Sequence, residues 1–234
     1  MLQGVGSIAG AVGLVTAALI GGSTFRSWRR QQLLQRQIPL AERILTAVFE
    51  VGERLRDVRS PLSTGNESNA ARATLEENGY NLNVLTDGER RNFVYAQVIH
   101  DRMNRHNEAW IELQSCKATA YAYFGRDIPE YINGILFVIQ EMRIAADELA
   151  QDNGSDKEFS RQLRLQVSSS RPKEQKDEIA ERVSQNTAKI EERLKPLLEE
   201  SASQSQKILA EAVKAALGGT ITLPIPWPIS RLIP

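Results

Sequence analysis

The sequence is poor in the side chains that most often bind metals or carry catalysis. It contains one cysteine, Cys116, and two histidines, His100 and His106. A single cysteine cannot form an intramolecular disulfide, which fits a reducing compartment, and we interpret Cys116 as a small apolar residue inside a helix. The two histidines would project from different faces of one helix, so we predict no shared metal ion and no cofactor.

The chain also lacks an excess of charge of one sign and any recognisable catalytic motif. Lysine and arginine together number 29, as do aspartate and glutamate, so the formal net charge is +0. A nucleic-acid partner is not predicted, because phosphate binding needs a basic excess or a basic face. There is no phosphate-binding loop, nucleophile elbow or kinase motif. We therefore predict that the protein is not an enzyme.

One pair of residues qualifies that prediction. His106 and Lys117 fall on the apolar stripe of a predicted helix, which makes them candidates for a buried polar site. His106 could act as a base or a pH switch. The interpretation we favour is a core histidine that is hydrogen-bonded across a bundle, with Lys117 extending its ammonium group to solvent or to a neighbouring acid.

Charged residues are missing altogether between Leu2 and Phe25. A helix needs about 20 mostly apolar residues to cross a bilayer, so we predict a transmembrane anchor over residues 1–25. A cleaved signal peptide would carry its basic residues before the apolar run, whereas here the basic residues follow it. That signal peptide and a soluble or peripheral segment remain as alternatives.

The flank of the predicted anchor sets its orientation. Arg26, Arg29 and Arg30 follow the apolar run, and Trp28 stands among them as an interfacial aromatic residue would. Positive charges favour the cytoplasmic side. We therefore predict a single-pass protein of the cell membrane, with its N-terminus outside, its remaining domain in the cytoplasm, and these four residues near the lipid headgroups.

Small residues recur every four positions within the predicted anchor. They are Ala9, Gly13, Ala17 and Gly21. Such spacing lets two membrane helices approach closely, so this face is predicted to support self-association. The alternative, that glycine and alanine are simply common in weakly apolar anchors, is given equal weight.

The rest of the chain is poor in aromatic residues, at 6%, and rich in apolar positions with helical spacing. This pattern predicts an all-α fold in which long helices form an antiparallel four-helix bundle. Residues 26–61 are the juxtamembrane and first bundle helix, residues 62–88 an irregular loop with a short helix, and residues 89–217 the remaining bundle helices. Those remaining helices are predicted at Glu89–Phe124, Ile128–Gln151 and Lys173–Leu217.

Two finer expectations concern the helices themselves. Pro39 and Pro196 are expected to kink or divide the first and last helices, since proline removes a backbone donor. Arg54, Arg56 and Arg59 alternate with acidic residues along the chain, and they are interpreted as forming ordinary ion pairs with those acids within one helix.

Residues 218–234 form an apolar tail with alternating prolines, and Trp227 is its largest side chain. Such a segment is predicted to be extended. Three hypotheses are open: Trp227 docks the tail along the bundle, on the membrane interface, or on a partner protein.

These features together favour a membrane-anchored, cytoplasmic helical interaction or scaffold protein without catalytic activity. The expected partners are the lipid bilayer, a second copy of the chain through anchor and bundle, and a cytoplasmic protein. A membrane-linked sensor or signalling component is the alternative function. An enzyme using a bundle pocket around His106 is the third and least favoured hypothesis.

Overall fold

The computed structural model describes residues 3–171 and 175–217, and the side chains of residues 3–27, 30, 204, 205, 208 and 215–217 lie outside that description. In chain order the described residues form α1 (Gln3–Val58), α2 (Gly65–Glu77), α3 (Asp87–Arg105), α4 (Asn107–Phe124), α5 (Asp127–Gln151), α6 (Lys157–Val167) and α7 (Glu178–Leu217), with a 3-10 turn at Leu82–Val84. The prediction of an all-helical bundle is confirmed.

The bundle is built around α5. This helix packs against α3, α4, α6 and α7, while α1 packs against α4 and α7. Pairs of cross-helix contacts show that α1 and α4 run in opposite directions, as do α5 and α7. Gln37 and Arg43 of α1 bond to Tyr123 and Glu112 of α4. Asp127 and Glu141 of α5 pair with Arg193 and Arg182 of α7.

The core is continuous along the inner faces of α1, α4, α5 and α7. Its largest side chains with almost no exposure include Ile44, Leu113, Ile132, Ile135 and Leu194. Each such side chain contributes about 1.5–3 kcal/mol on burial. A smaller apolar cluster joins α2 to α3, so α2 is held to the bundle through α3.

Two glycines permit local geometry that other residues would resist. Gly125, between α4 and α5, has φ +79, a region that favours glycine. At Gly134 of α5, a Cβ atom would meet the side chain of Asn186 of α7 at 2.8 Å. The absence of that Cβ lets α5 and α7 approach closely.

The two internal prolines do not divide their helices, so the predicted division is wrong, while the predicted kink stays a prediction. Pro39 lies inside α1 and Pro196 inside α7. Packing explains the outcome for α1, because Leu40 and Ala41, directly after Pro39, are buried in the core. A helix held by tertiary contacts on one face tolerates the loss of one backbone hydrogen bond.

The predicted helix Glu89–Phe124 is in fact two helices, because His106 separates α3 from α4. The indole N–H of buried Trp110 donates to the carbonyl of Met103 at 3.0 Å. This bond satisfies a carbonyl at the C-terminal end of α3 that would otherwise need another partner. The apolar spacing of the sequence continues through this break, because Met103 of α3 and Trp110 and Leu113 of α4 are all buried.

Two shorter helices complete the description. The short helix predicted within residues 62–88 is α2, which begins at Gly65, where Thr64 and Glu67 form a reciprocal capping box. The stretch between α5 and α7, for which the sequence predicts a mobile or partly helical linker, contains α6. Ser160, Leu163 and Val167 of α6 are buried, so this amphipathic helix belongs to the bundle.

Among the residues that the structure describes, no helix combines the length and apolar character needed to cross a membrane. The predicted anchor over residues 1–25 is therefore not supported by the structure.

Candidate functional site: a groove between the first and last helices

The predicted anchor and tail residues are mostly outside the description. Trp28 and Arg29 of α1 are exposed. The side chains predicted to form the anchor packing face, the headgroup contacts and the docked tail lie outside the described residues, namely Ala9, Gly13, Ala17, Gly21, Arg26, Arg30 and Trp227.

His106 and Lys117 are not brought together. His106 Nε2 lies 2.7 Å from Asp57 Oδ2 of α1, and its ring meets that of Trp110 edge-on, with centroids 6.4 Å apart. Lys117 is half-buried and has no ion pair within the described part of the chain. Cys116 is fully buried, and burial raises the pKa of its thiol. Within the residues that the structure describes, no group of three or more histidine, cysteine, aspartate or glutamate side chains is placed to hold a metal ion.

The sequence interpretation missed a buried arginine beside the C-terminus of α1. Arg102 of α3 donates to both carboxylate oxygens of Glu67, at 3.0 and 2.8 Å, and to the carbonyls of Val58, Ser60 and Leu62. These bonds use all five N–H groups of a guanidinium. The hydrogen bond from Arg102 lowers the pKa of Glu67 to about 2. Arg102 thereby fixes the connection between α1 and α2.

A second buried arginine, Arg59, lies on the other side of that helix end. The expectation of an intrahelical pair is wrong for Arg59, although Arg54 and Arg56 do pair within α1. Arg59 Nη1 donates to Asp177 Oδ2 at 2.9 Å, and its other bonds go to carbonyls of residues 165–168. It therefore joins α1 to the connection between α6 and α7.

Asp177 collects further contacts at this corner. It forms an ion pair with Arg171 at 3.1 Å, and it accepts a hydrogen bond from the backbone N–H of Ala180, which caps α7. Burial raises the pKa of Asp177, but the hydrogen bond from Arg59 and the other contacts outweigh it, so the net shift is downward.

A charge isolated on an otherwise apolar helix face was the available signal for Arg102, since Ile99 and Met103 flank it on the buried face of α3.

The Arg59–Asp177 pair closes one end of an apolar groove between α1 and α7. The groove has a volume of about 620 Å³. Its floor consists of the buried side chains of Val48, Leu55 and Ile179. Its sides consist of the exposed Phe49 and the half-buried Gly52 and Val183. Because both charges at its end are paired, the groove suits an apolar side chain rather than an ion.

Phe49 and Gly52 lie next to each other on the α1 side of this groove. Phe49 is 50% exposed, and no atom lies within 4 Å of the position that a Cβ of Gly52 would occupy. The two residues are three positions apart on α1, so they share one face. A large apolar side chain thus stands next to an open space on the same surface.

No protein-family model, curated protein or solved structure matches this chain. The class of the protein therefore rests on its own geometry: an all-α bundle with an apolar groove between α1 and α7.

Proposed function

We propose that this protein is a non-catalytic helical interaction module whose α1–α7 groove binds a second copy of the same chain. The observation that carries the proposal is the half-exposed Phe49 next to the open space at Gly52. A two-fold interface brings the same patch from both copies together, so Phe49 of each copy would fill the space over Gly52 of the other.

Charge supports the same arrangement. Two chains tethered to one membrane have parallel α1 helices, and with Phe49 of each copy beside Gly52 of the other, Arg56 of one copy lies one turn from Glu53 of the second copy. Arg56 and Glu53 are both exposed. Opposite charges at the rim of an interface favour the correct register more than they add affinity.

Cross-linking tests the register directly. Two differently tagged full-length chains would carry Phe49→Cys and Gly52→Cys, each in a Cys116→Ala background, and would be mixed in detergent and treated with a short thiol cross-linker. We expect a product that carries both tags. Ile111→Cys replaces Phe49→Cys in the control, because Ile111 is similarly exposed, at 56%, but lies on α4.

Sedimentation measures the strength of the same contact. Phe49→Gln is expected to raise the dimer dissociation constant about tenfold or more, since both copies lose a buried aromatic contact, while Ile111→Gln leaves it unchanged. A strictly monomeric wild-type chain, or equal cross-linking by the Ile111→Cys control, would overturn the proposal.

We propose in addition that residues 1–25 tether this module to the cell membrane, with the bundle in the cytoplasm. The support is the uncharged stretch before Arg26 and the basic flank that follows it. A compartment-sensitive reporter fused after Leu217 is expected to report the cytoplasm and to remain in the membrane fraction after alkaline extraction. A reporter signal from outside, or release by alkali, would contradict the tether or its orientation.

One observation favours a signalling component as a second candidate. The backbone of α1 is a continuous helix from Gln3 to Val58, so a rotation or shift of its first part would reach the bundle directly. Cysteine cross-linking between copies at Ala9 and Gly13 should then change with membrane tension. Constant cross-linking across such conditions would remove this candidate.

A further inference from the structure

A second cavity, separate from the α1–α7 groove, lies between α2 and α3. It has a volume of about 520 Å³, and its polar lining comes from the α1–α2 connection, from α2 and from α3. The cavity contains three arginines and one aspartate, a formal charge of +2: Arg72, Arg90, Arg91 and Asp87. The groove between α1 and α7 has no comparable charge excess, so the two cavities differ in chemistry.

The three arginines offer donors that the protein does not use. Arg72 has no hydrogen bond or ion pair within the described residues. Arg91 uses only its Nε, which donates to the Asp87 carbonyl at 3.1 Å, so its two terminal nitrogens remain available. A guanidinium binds a tetrahedral oxyanion through paired N–H groups. Two such groups therefore face the same space.

Arg90 is positioned before any ligand arrives. Its Nε and Nη2 donate to the carbonyls of Leu82 and Leu85, at 3.0 and 3.2 Å. Its Nη1 stands 3.6 Å from Asp87, whose side chain is 91% exposed. Arg90 is thus a fixed positive charge, and Asp87 is the one acid that competes with an incoming anion.

Hydroxyl groups complete the donor set. Ser63 and Ser68 line the cavity on the α2 side and Tyr95 on the α3 side. None of these hydroxyls has a hydrogen-bond partner among the described residues. Ser68 and Arg72 are one turn apart on α2, as are Arg91 and Tyr95 on α3, so each helix presents a hydroxyl and a guanidinium together.

We propose that this cavity binds a small ligand bearing a phosphate group. A phosphate dianion matches the charge of +2 and has enough oxygens to accept from several of the guanidinium and hydroxyl donors at once. A carboxylate has one charge and two oxygens, and it would leave most of these donors unused.

Titration calorimetry with full-length protein tests the site, using inorganic phosphate and pyrophosphate as probes. We expect saturable binding with one ligand per chain. Arg72→Gln is expected to weaken pyrophosphate binding about tenfold or more, because a charge-assisted bidentate contact is lost. Arg105→Gln is the matched control, since Arg105 is an exposed arginine of α3 outside this cavity.

A second variant moves the affinity in the opposite direction. Asp87→Asn removes the competing acid, so it is expected to tighten pyrophosphate binding several-fold at low salt. A residue with only a structural role would not produce a gain. Absence of saturable binding up to 10 mM pyrophosphate (about the weakest affinity worth testing), or equal losses in Arg72→Gln and Arg105→Gln, would overturn the proposal.

The source of the phosphate is decided by a parallel measurement. Vesicles of phosphatidylcholine with and without a phosphoinositide are compared for Arg72-dependent binding. We expect no Arg72-dependent gain with the phosphoinositide, because the cavity lies at the C-terminal end of α1, far along the helix from residues 1–25. An Arg72-dependent gain would show that the ligand is a lipid headgroup and would contradict the soluble ligand proposed.

Discussion

Arg102 and Arg59 are both buried beside the C-terminus of α1, at 3% and 4% exposure, yet they are satisfied in different ways. Arg102 holds Glu67 with both arms of its guanidinium. Arg59 shares Asp177 with a second arginine, Arg171. Glu67 therefore has one hydrogen-bonded arginine, with Arg105 no closer than 4.0 Å, whereas Asp177 has two arginines within 3.1 Å.

The difference has an energetic consequence. Every N–H of Arg102 has an acceptor, so its corner carries no unsatisfied donor. At the other corner the Nε of Arg171 is buried without a partner, and such a donor costs about 1–3 kcal/mol. The Arg102 network is therefore the more stable of the two, but no other arginine that the structure describes donates to the same acceptors if Arg102 is lost.

The largest expected effect is that of Arg102→Met. The variant leaves the carboxylate of Glu67 and the carbonyls of Val58, Ser60 and Leu62 without their donor, so it should lose about 3–5 kcal/mol of unfolding free energy. Urea denaturation followed by circular dichroism measures the loss. Arg105→Met is the control, since Arg105 is 57% exposed and 4.0 Å from the same glutamate.

Acid should weaken the Arg102 corner by a smaller amount. The folded-state pKa of Glu67 is about 2, below its ordinary value of 4.5. Its stabilising contribution, at most about 3 kcal/mol, is thus fully present above pH 4.5 and is lost as the pH falls through about 2. The stability gap between wild type and Glu67→Gln should close over that range. A gap that is unchanged between pH 5 and pH 2.5 would contradict this assignment.

Arg59→Met should cost less than Arg102→Met, about 2 kcal/mol, because Arg171 still partners Asp177. Arg171→Met should cost less again, within about 1 kcal/mol, since it also removes the unsatisfied Nε. The same denaturation series measures both. If Arg59→Met proved as damaging as Arg102→Met, the sharing of Asp177 would have no protective effect.

Apolar spacing predicted which segments are helical and which of their faces are buried. The stripe containing Ile44, Val48, Val51 and Leu55 is buried as expected. The predicted helix Ile128–Gln151 begins one residue after the start of α5 and ends at the same residue as α5. Periodicity succeeds here because burial of one helical face repeats every three or four residues along the chain.

Other features depend on contacts between residues far apart in sequence. Arg59 and Asp177 are 118 positions apart, and Arg102 and Glu67 are 35 apart. No local pattern separates Arg59, which is buried, from Arg54 and Arg56, which pair within their own helix. The groove and the arginine-lined cavity have the same origin, since each is formed by helices that meet only in the folded chain.

The sequence alone thus determined the helical class, the bounds of α5 to within one residue and the buried faces of the long helices, because these follow from local periodicity. Only the tertiary structure decided the helix break at His106, the continuity of α1 and α7 through their prolines, and the placement of the two buried arginines. Those outcomes depend on which backbone carbonyls and carboxylates lie within hydrogen-bonding distance after packing, and that distance is a property of the assembled bundle.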